Sequence, residues 1–181
     1  MSLILKSVRD ARFKRAVMPY LEYGFNLALA LVTDRSDAED ALQEASLKAY
    51  RAIDSLHNDD AKSWFLKIVR NECLNLLKRR NIGRANEICF NDDLLVVADE
   101  MSNPAAKVLN DMTRDQVRRA IDELPVLLKE ALILREIQSL TYQQIATVTG
   151  APMGTVMSRL SRARNSLMKL LAEESLSLIH I

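Results

Sequence analysis

Three clusters of side chains in this sequence have the types and spacing to engage charged or polar partners. The first is basic: across residues 141–169 there is no acidic residue, while Arg159, Arg162, Arg164 and Lys169 supply cations. Guanidinium and ammonium groups gathered on one helix suit phosphate oxygens. The second is Trp64, Lys67, Asn71 and Lys78, which recur at helical spacing and run into Arg79, Arg80 and Arg84. A ring on which bases stack, beside cations that track phosphates, can hold single-stranded nucleic acid, although a basic helix end also simply complements the helix dipole. The third is acidic and amide-bearing: Asp40, Gln43 and Glu44 surround Leu47 on the face of a helix opposite its apolar stripe. One exposed leucine is commonplace, but in such a ring it has the make-up of a protein-docking anchor.

Covalent chemistry is not suggested. His57 and His180 are the only histidines, Cys73 and Cys89 lack CxxC spacing, and neither a Ser-His-Asp set nor a Gly-rich phosphate loop is present. The expectation is a protein with no catalytic residues, no metal, no cofactor and no small-molecule substrate.

Each cluster needs a helix to present it. Thr141 is placed to cap a helix over 142–148, Gly150 supplies the positive φ of a corner, and Pro152 suits the start of the next helix. In that second helix Val156, Leu160, Ala163 and Leu167 form an inward stripe, with Gly154, Ser158, Ser161, Arg162 and Asn165 opposite. Two short helices around a tight turn, the second presenting a small, polar, cationic face, make a helix-turn-helix for a major groove. An ordinary helical hairpin with a solvated basic face is the plainer alternative. For the acidic cluster, Ser36 and Glu39 have capping-box spacing, so a helix is expected from there to about residue 53, burying Ala38, Leu42, Ala45, Ala49 and Ile53. After a polar turn at 56–61, residues 62–80 read as a helix with Phe65, Val69, Cys73 and Leu76 inward. Helical pattern also covers 9–32, with Pro19 a boundary, and 104–124, then 126–137 after Pro125.

Composition agrees with this. In 181 residues, 49% are hydrophobic and 27% charged, while four glycines, four prolines and 5% aromatics leave little material for a turn-rich β protein. The expected fold is all-α: two small helical domains over 1–80 and 104–171, an acidic linker over 81–103, and a tail at 172–181 whose SLSLIHI leaves the amphipathic pattern. The formal net charge of +1 conceals a partition, because 34–44 and 87–111 are acidic whereas 62–84 and 159–169 are basic. The apolar run at 25–32 is too short to span a bilayer and no signal-peptide pattern opens the chain, so a reducing, cytoplasmic setting without membrane insertion is expected.

With these motifs in order, the chain resembles the sigma factors of bacterial RNA polymerase, specifically the short two-domain extracytoplasmic-function group. DAEDALQEASLKAY at 37–50 resembles that family's clamp-binding helix, SWFLKIVRNECLNLLKRR at 63–80 its minus-ten promoter helix, and LTYQQIATVTGAPMGTVMSRLSRAR at 140–164 its minus-thirty-five reader. The resemblance implies that Asp37, Asp40, Gln43, Glu44 and Leu47 dock on core RNA polymerase. It implies that Asn58 and Asp59 lie in a turn holding a flipped-out base, and that Trp64, Lys67, Arg70, Asn71 and Lys78 meet melted promoter DNA. Thr155, Met157, Ser158, Arg159, Ser161 and Arg162 would meet the upstream duplex, and an anti-sigma factor is a further implied partner. Two departures stand out: Met157 occupies a position where the family usually has a cation, and Gln143 and Gln144 replace its usual paired glutamates. The competing reading is a helix-turn-helix regulator whose N-terminal half is a helical sensor that never touches core polymerase.

Overall fold

The computed structural model describes residues 2–56, 60–81 and 114–179. Asn58, Asp59, the expected linker from residue 82 onward and the first residues expected of the second domain lie outside the described residues. Every regular element among the described residues is helical. Helix α1 (Ser2–Ala16) leads through a 3-10 turn (Met18–Tyr20) containing Pro19 into α2 (Leu21–Val32). Then follow α3 (Arg35–Ala52), a second 3-10 turn (Ile53–Ser55) and α4 (Ala61–Asn81). The second half comprises α5 (Arg114–Asp122), α6 (Val126–Leu132), α7 (Tyr142–Thr149) and α8 (Met153–Ile179).

Local chemistry explains most boundaries. Thr33 ends α2 in the left-handed region at φ 62° and turns Asp34 into an extended conformation. From there the Asp34 carboxylate accepts the Asp37 N–H at 3.0 Å and caps α3. The cap is thus Asp34 and not the expected Ser36, which lies inside the first turn. Thr141 caps α7 with a complete capping box, its hydroxyl accepting the Gln144 N–H while the Gln144 side chain accepts the Thr141 N–H. Gly150 closes α7 at φ 68°. The helix expected over 126–137 is α-helical only to Leu132; Ile133–Ile137 widens to a π turn in which the Gln138 N–H reaches the Ile133 carbonyl at 3.0 Å. Helix α8 continues to Ile179, into the residues expected of the tail.

Helices α2, α3 and α4 pack as a three-helix unit, burying Leu27, Ala28 and Leu31 against Ala38, Ala41, Ala45 and Ala49 and against Phe65, Leu66, Val69 and Cys73. Gly24 permits the close approach: a Cβ there would stand 2.9 Å from both Leu42 Cδ1 and Phe65 Cε1. In the second unit α6 and α5 lie against α8, around Leu124, Leu132 and Ala163. The two units share one apolar cluster, in which Ala131, Leu134, Leu140, Ile145 and Val148 are continuous with Leu27, Phe65, Leu66 and Val69. Helix α7 lies along α4, and α6 against α2.

Candidate nucleic-acid and protein-docking surfaces

On α3, spacing of three and four residues brings Asp40, Gln43, Glu44 and Leu47 onto one face, and all four are exposed, Leu47 by 45%. Asp37 does not join them. It is buried, and its carboxylate pairs with the Arg80 guanidinium at the end of α4. A second tie between the same helices runs from Lys48 to Glu72 at 2.7 Å, with Glu72 buried. These pairs fix the α3 face relative to α4.

On α4 the expected set divides. Lys67, Asn71 and Lys78 are exposed along one stripe, with Asn75 among them and Trp64 half-buried against the core. Arg70 points elsewhere: its guanidinium grips both oxygens of Glu130 on α6, with Nη2 to Oε2 at 3.2 Å. Glu130 is 0% exposed. The N-terminus of α4 is capped by Asp60, whose Oδ1 accepts the Ser63 N–H at 3.0 Å and whose Oδ2 accepts Gln144 Nε2 at 3.1 Å. Lys62 donates to the Gln138 carbonyl at 2.8 Å and lies over the Tyr23 ring, 4.1 Å from its centroid. Gln138 Nε2 in turn donates to the Tyr23 carbonyl at 2.9 Å.

At the start of α8, Met157, Ser158 and Ser161 are exposed, Thr155 and Arg162 are half-buried, and Arg159 is 7% exposed. Met157 presents 49% of its surface. Further along, Arg164 pairs with Glu136 at 2.7 Å, and Arg135 lies 5.0 Å over the Tyr142 ring while donating to the Leu140 carbonyl at 2.8 Å. These contacts hold the helix-turn-helix on the π turn that precedes it.

The electrostatics follow from burial. Removal from water raises the Glu130 pKa, against the pull of the Arg70 hydrogen bonds and the charges of Arg70 and Arg159. Burial also pushes the Cys73 thiol up to about 12, with the Glu130 and Glu72 carboxylates adding to the effect. Lys62 and Lys129 are lowered by burial, each partly restored by a neighbouring carboxylate, Asp60 and Asp122 respectively. For Asp60 burial works against ionisation, but the hydrogen bonds from Ser63 and Gln144 and the charge of Lys62 outweigh it, so its pKa falls below the usual range. No group of histidine, cysteine, aspartate and glutamate side chains able to hold a metal ion occurs among the described residues.

Glu130, Lys62, Gln138 and the link between Asp60 and Gln144 are what sequence reasoning missed. Their partners lie far away in the chain, and no local spacing marks them.

Comparison with known proteins gives a consistent picture. The family described as Sigma-70 region 2 matches residues 16–82, and that described as Sigma-70, region 4 matches residues 114–167. The RNA polymerase sigma-H factor of Pseudomonas aeruginosa strain PAO1 is 35% identical over 167 residues, covering 88% of this chain and 86% of that protein. The ECF RNA polymerase sigma-E factor of Escherichia coli K12 is 36% identical over 141 residues, 72% of each chain. Among solved structures, the sigma factor RpoE in complex with the anti-sigma factor NepR from Bartonella quintana superposes with a TM-score of 0.68 at 26% identity, over 88% of this chain and 96% of that one. CnrH, solved in complex with the cytosolic domain of CnrY, gives 0.59 at 19% identity over 89% and 88%, a likeness of fold.

Proposed function

Because the chain belongs to the extracytoplasmic-function group of bacterial RNA polymerase sigma factors, we infer that the exposed α3 face of Asp40, Gln43, Glu44 and Leu47 is its contact with core polymerase. It is a transcription initiation factor and not an enzyme: it directs core polymerase to promoters and assists their melting. The observation that carries the docking assignment is the exposure of Leu47 within that face. Asp37, turned onto Arg80, orients α3 on α4 and supports the face from behind.

The rest of the reading follows the chain. Residues 1–80 form the clamp- and minus-ten-binding domain, 81–103 a linker, and 104–171 the minus-thirty-five-binding domain. The Lys67, Asn71 and Lys78 stripe on α4 meets the non-template strand, Trp64 flanks it, and Asn58 and Asp59 hold a base extruded from the stack. Arg70, expected among them, is instead paired with the buried Glu130 and braces α4 against α6. The start of α8 enters the upstream major groove through Thr155, Met157, Ser158, Ser161 and Arg162, whereas Arg159, expected among them, is buried on the Glu130 side of the helix. The RpoE structure was solved with an anti-sigma factor, which supports such a protein as a further partner here. Its place of work is the cytoplasm, where core polymerase acts. A regulator that never meets core polymerase is not favoured, since it leaves the region 2 match over 16–82 without a role.

Leu47→Asp tests the docking face. Burying a leucine side chain contributes roughly 1.5–3 kcal/mol, and a carboxylate in its place adds a desolvation cost. The variant is expected to fold normally, since Leu47 is exposed, and to lose core polymerase in a pull-down. Undiminished binding would move the contact to another surface.

A further inference from the structure

Two of the exposed large apolar side chains among the described residues sit at the start of α8: Met153 and Met157, 37% and 49% exposed. Single exposed apolar residues are commonplace on a protein surface, but these two are four apart and so share one face of the helix assigned to the upstream duplex. Ser161, also exposed, continues the same line, and the exposed Gly154 and Ser158 lie beside it. A Cβ at Gly154 would meet nothing within 4 Å, so the backbone there is open to close approach by the floor of a groove.

The surroundings decide what this face fits. No acidic residue occurs across 141–169, and Glu136, which reaches α8 from the π turn, is held by Arg164 at 2.7 Å. An apolar protein partner calls for a continuous apolar patch, whereas here thioethers alternate with hydroxyls and a bare stretch of backbone. That mixture matches the major-groove edges of base pairs, where hydrogen-bonding groups are interrupted by one apolar group, the thymine C5 methyl. The group complementary to guanine is scarce. Arg159, whose fork has the shape for guanine O6 and N7, is buried toward Glu130, and Arg162, beyond the methionines, is half-buried. Methionine suits a methyl contact because its unbranched, polarisable chain adapts to the position of its partner.

We propose that Met153 and Met157 determine upstream specificity by packing on thymine methyl groups, so that thymine, rather than guanine, is the base this part of the helix selects. Four residues of helix rise about 6 Å and base pairs stack at about 3.4 Å, so the two thymines lie about two base-pair steps apart, on either strand. This rests on the reading that the start of α8 enters the upstream major groove.

The test uses holoenzyme containing the full chain. Promoters are selected from a library randomised upstream, and each enriched thymine is then replaced by uracil, which removes the C5 methyl alone. Binding is expected to weaken about fourfold at each of two positions, the value for one methyl withdrawn from an apolar contact. The log-log salt slope should not change, since no phosphate contact is altered. Met157→Ala should abolish the uracil effect at one of these positions and Met153→Ala at the other. Both side chains are exposed, so the substitutions are expected to leave the fold intact, and the uracil series with the parent protein needs no variant. An enriched upstream sequence that tolerates uracil at every thymine overturns the methionine assignment and leaves groove entry standing. Uracil sensitivity that is the same in both alanine variants as in the parent overturns it as well, and gives the methyl contact to another side chain. A library that enriches no upstream sequence overturns groove entry and the proposal together, and leaves the methionine face to a protein surface.

Discussion

Ser139 adopts φ 55°, a conformation that costs an L-residue about 1–2 kcal/mol and glycine almost nothing. Ser139→Gly gives back part of that gain through the greater freedom of glycine in the unfolded chain, so the expected net stabilisation is about 0.5–1 kcal/mol in urea unfolding. Asp60 lends itself to a pH test. Its pKa is lowered in the folded protein, so the stability it contributes is fully present above its unfolded value near 3.8 and is lost as pH falls through the lower folded value. The difference in urea midpoint between the parent and Asp60→Asn is expected to be constant at neutral pH and to shrink only below about pH 4. Met157 bears on the upstream duplex. If its exposed side chain stands where the family places a cation against a phosphate, Met157→Lys in holoenzyme should steepen the log-log salt dependence of promoter binding by about 0.9. An unchanged slope would place the residue away from the backbone.

Among the elements, the turn between α7 and α8 is governed by its own residues. Thr141, Gln144 and Gly150 satisfy the backbone of α7 within a few positions of themselves. Thr141→Ala should therefore cost about 1 kcal/mol by thermal or urea unfolding. Such local closure is why this motif, the buried alanine stripe of α3 and the inward face of α4 could all be read from spacing. Positions decided by distant contacts could not. Nothing near Asp37 announces Arg80, and Leu42 of the expected stripe is half-buried while its neighbour Ala41 is buried. The π turn at Ile133–Ile137 belongs with these, since it carries Gln138 to 2% exposure at a surface supplied by α2 and α4. Gly24→Ala tests the close approach: crowding Leu42 and Phe65 is expected to destabilise the protein by about 1–3 kcal/mol.

For the whole molecule, what was legible was the order of helices and the chemistry of their faces; the packing of one unit upon the other was not. That packing depends on Glu130 meeting Arg70 and on α7 lying along α4, and a pattern of helical periods within each half carries no record of it. Its consequence is thermodynamic: units that share one apolar cluster unfold as one, so stability lost in either half is lost to both.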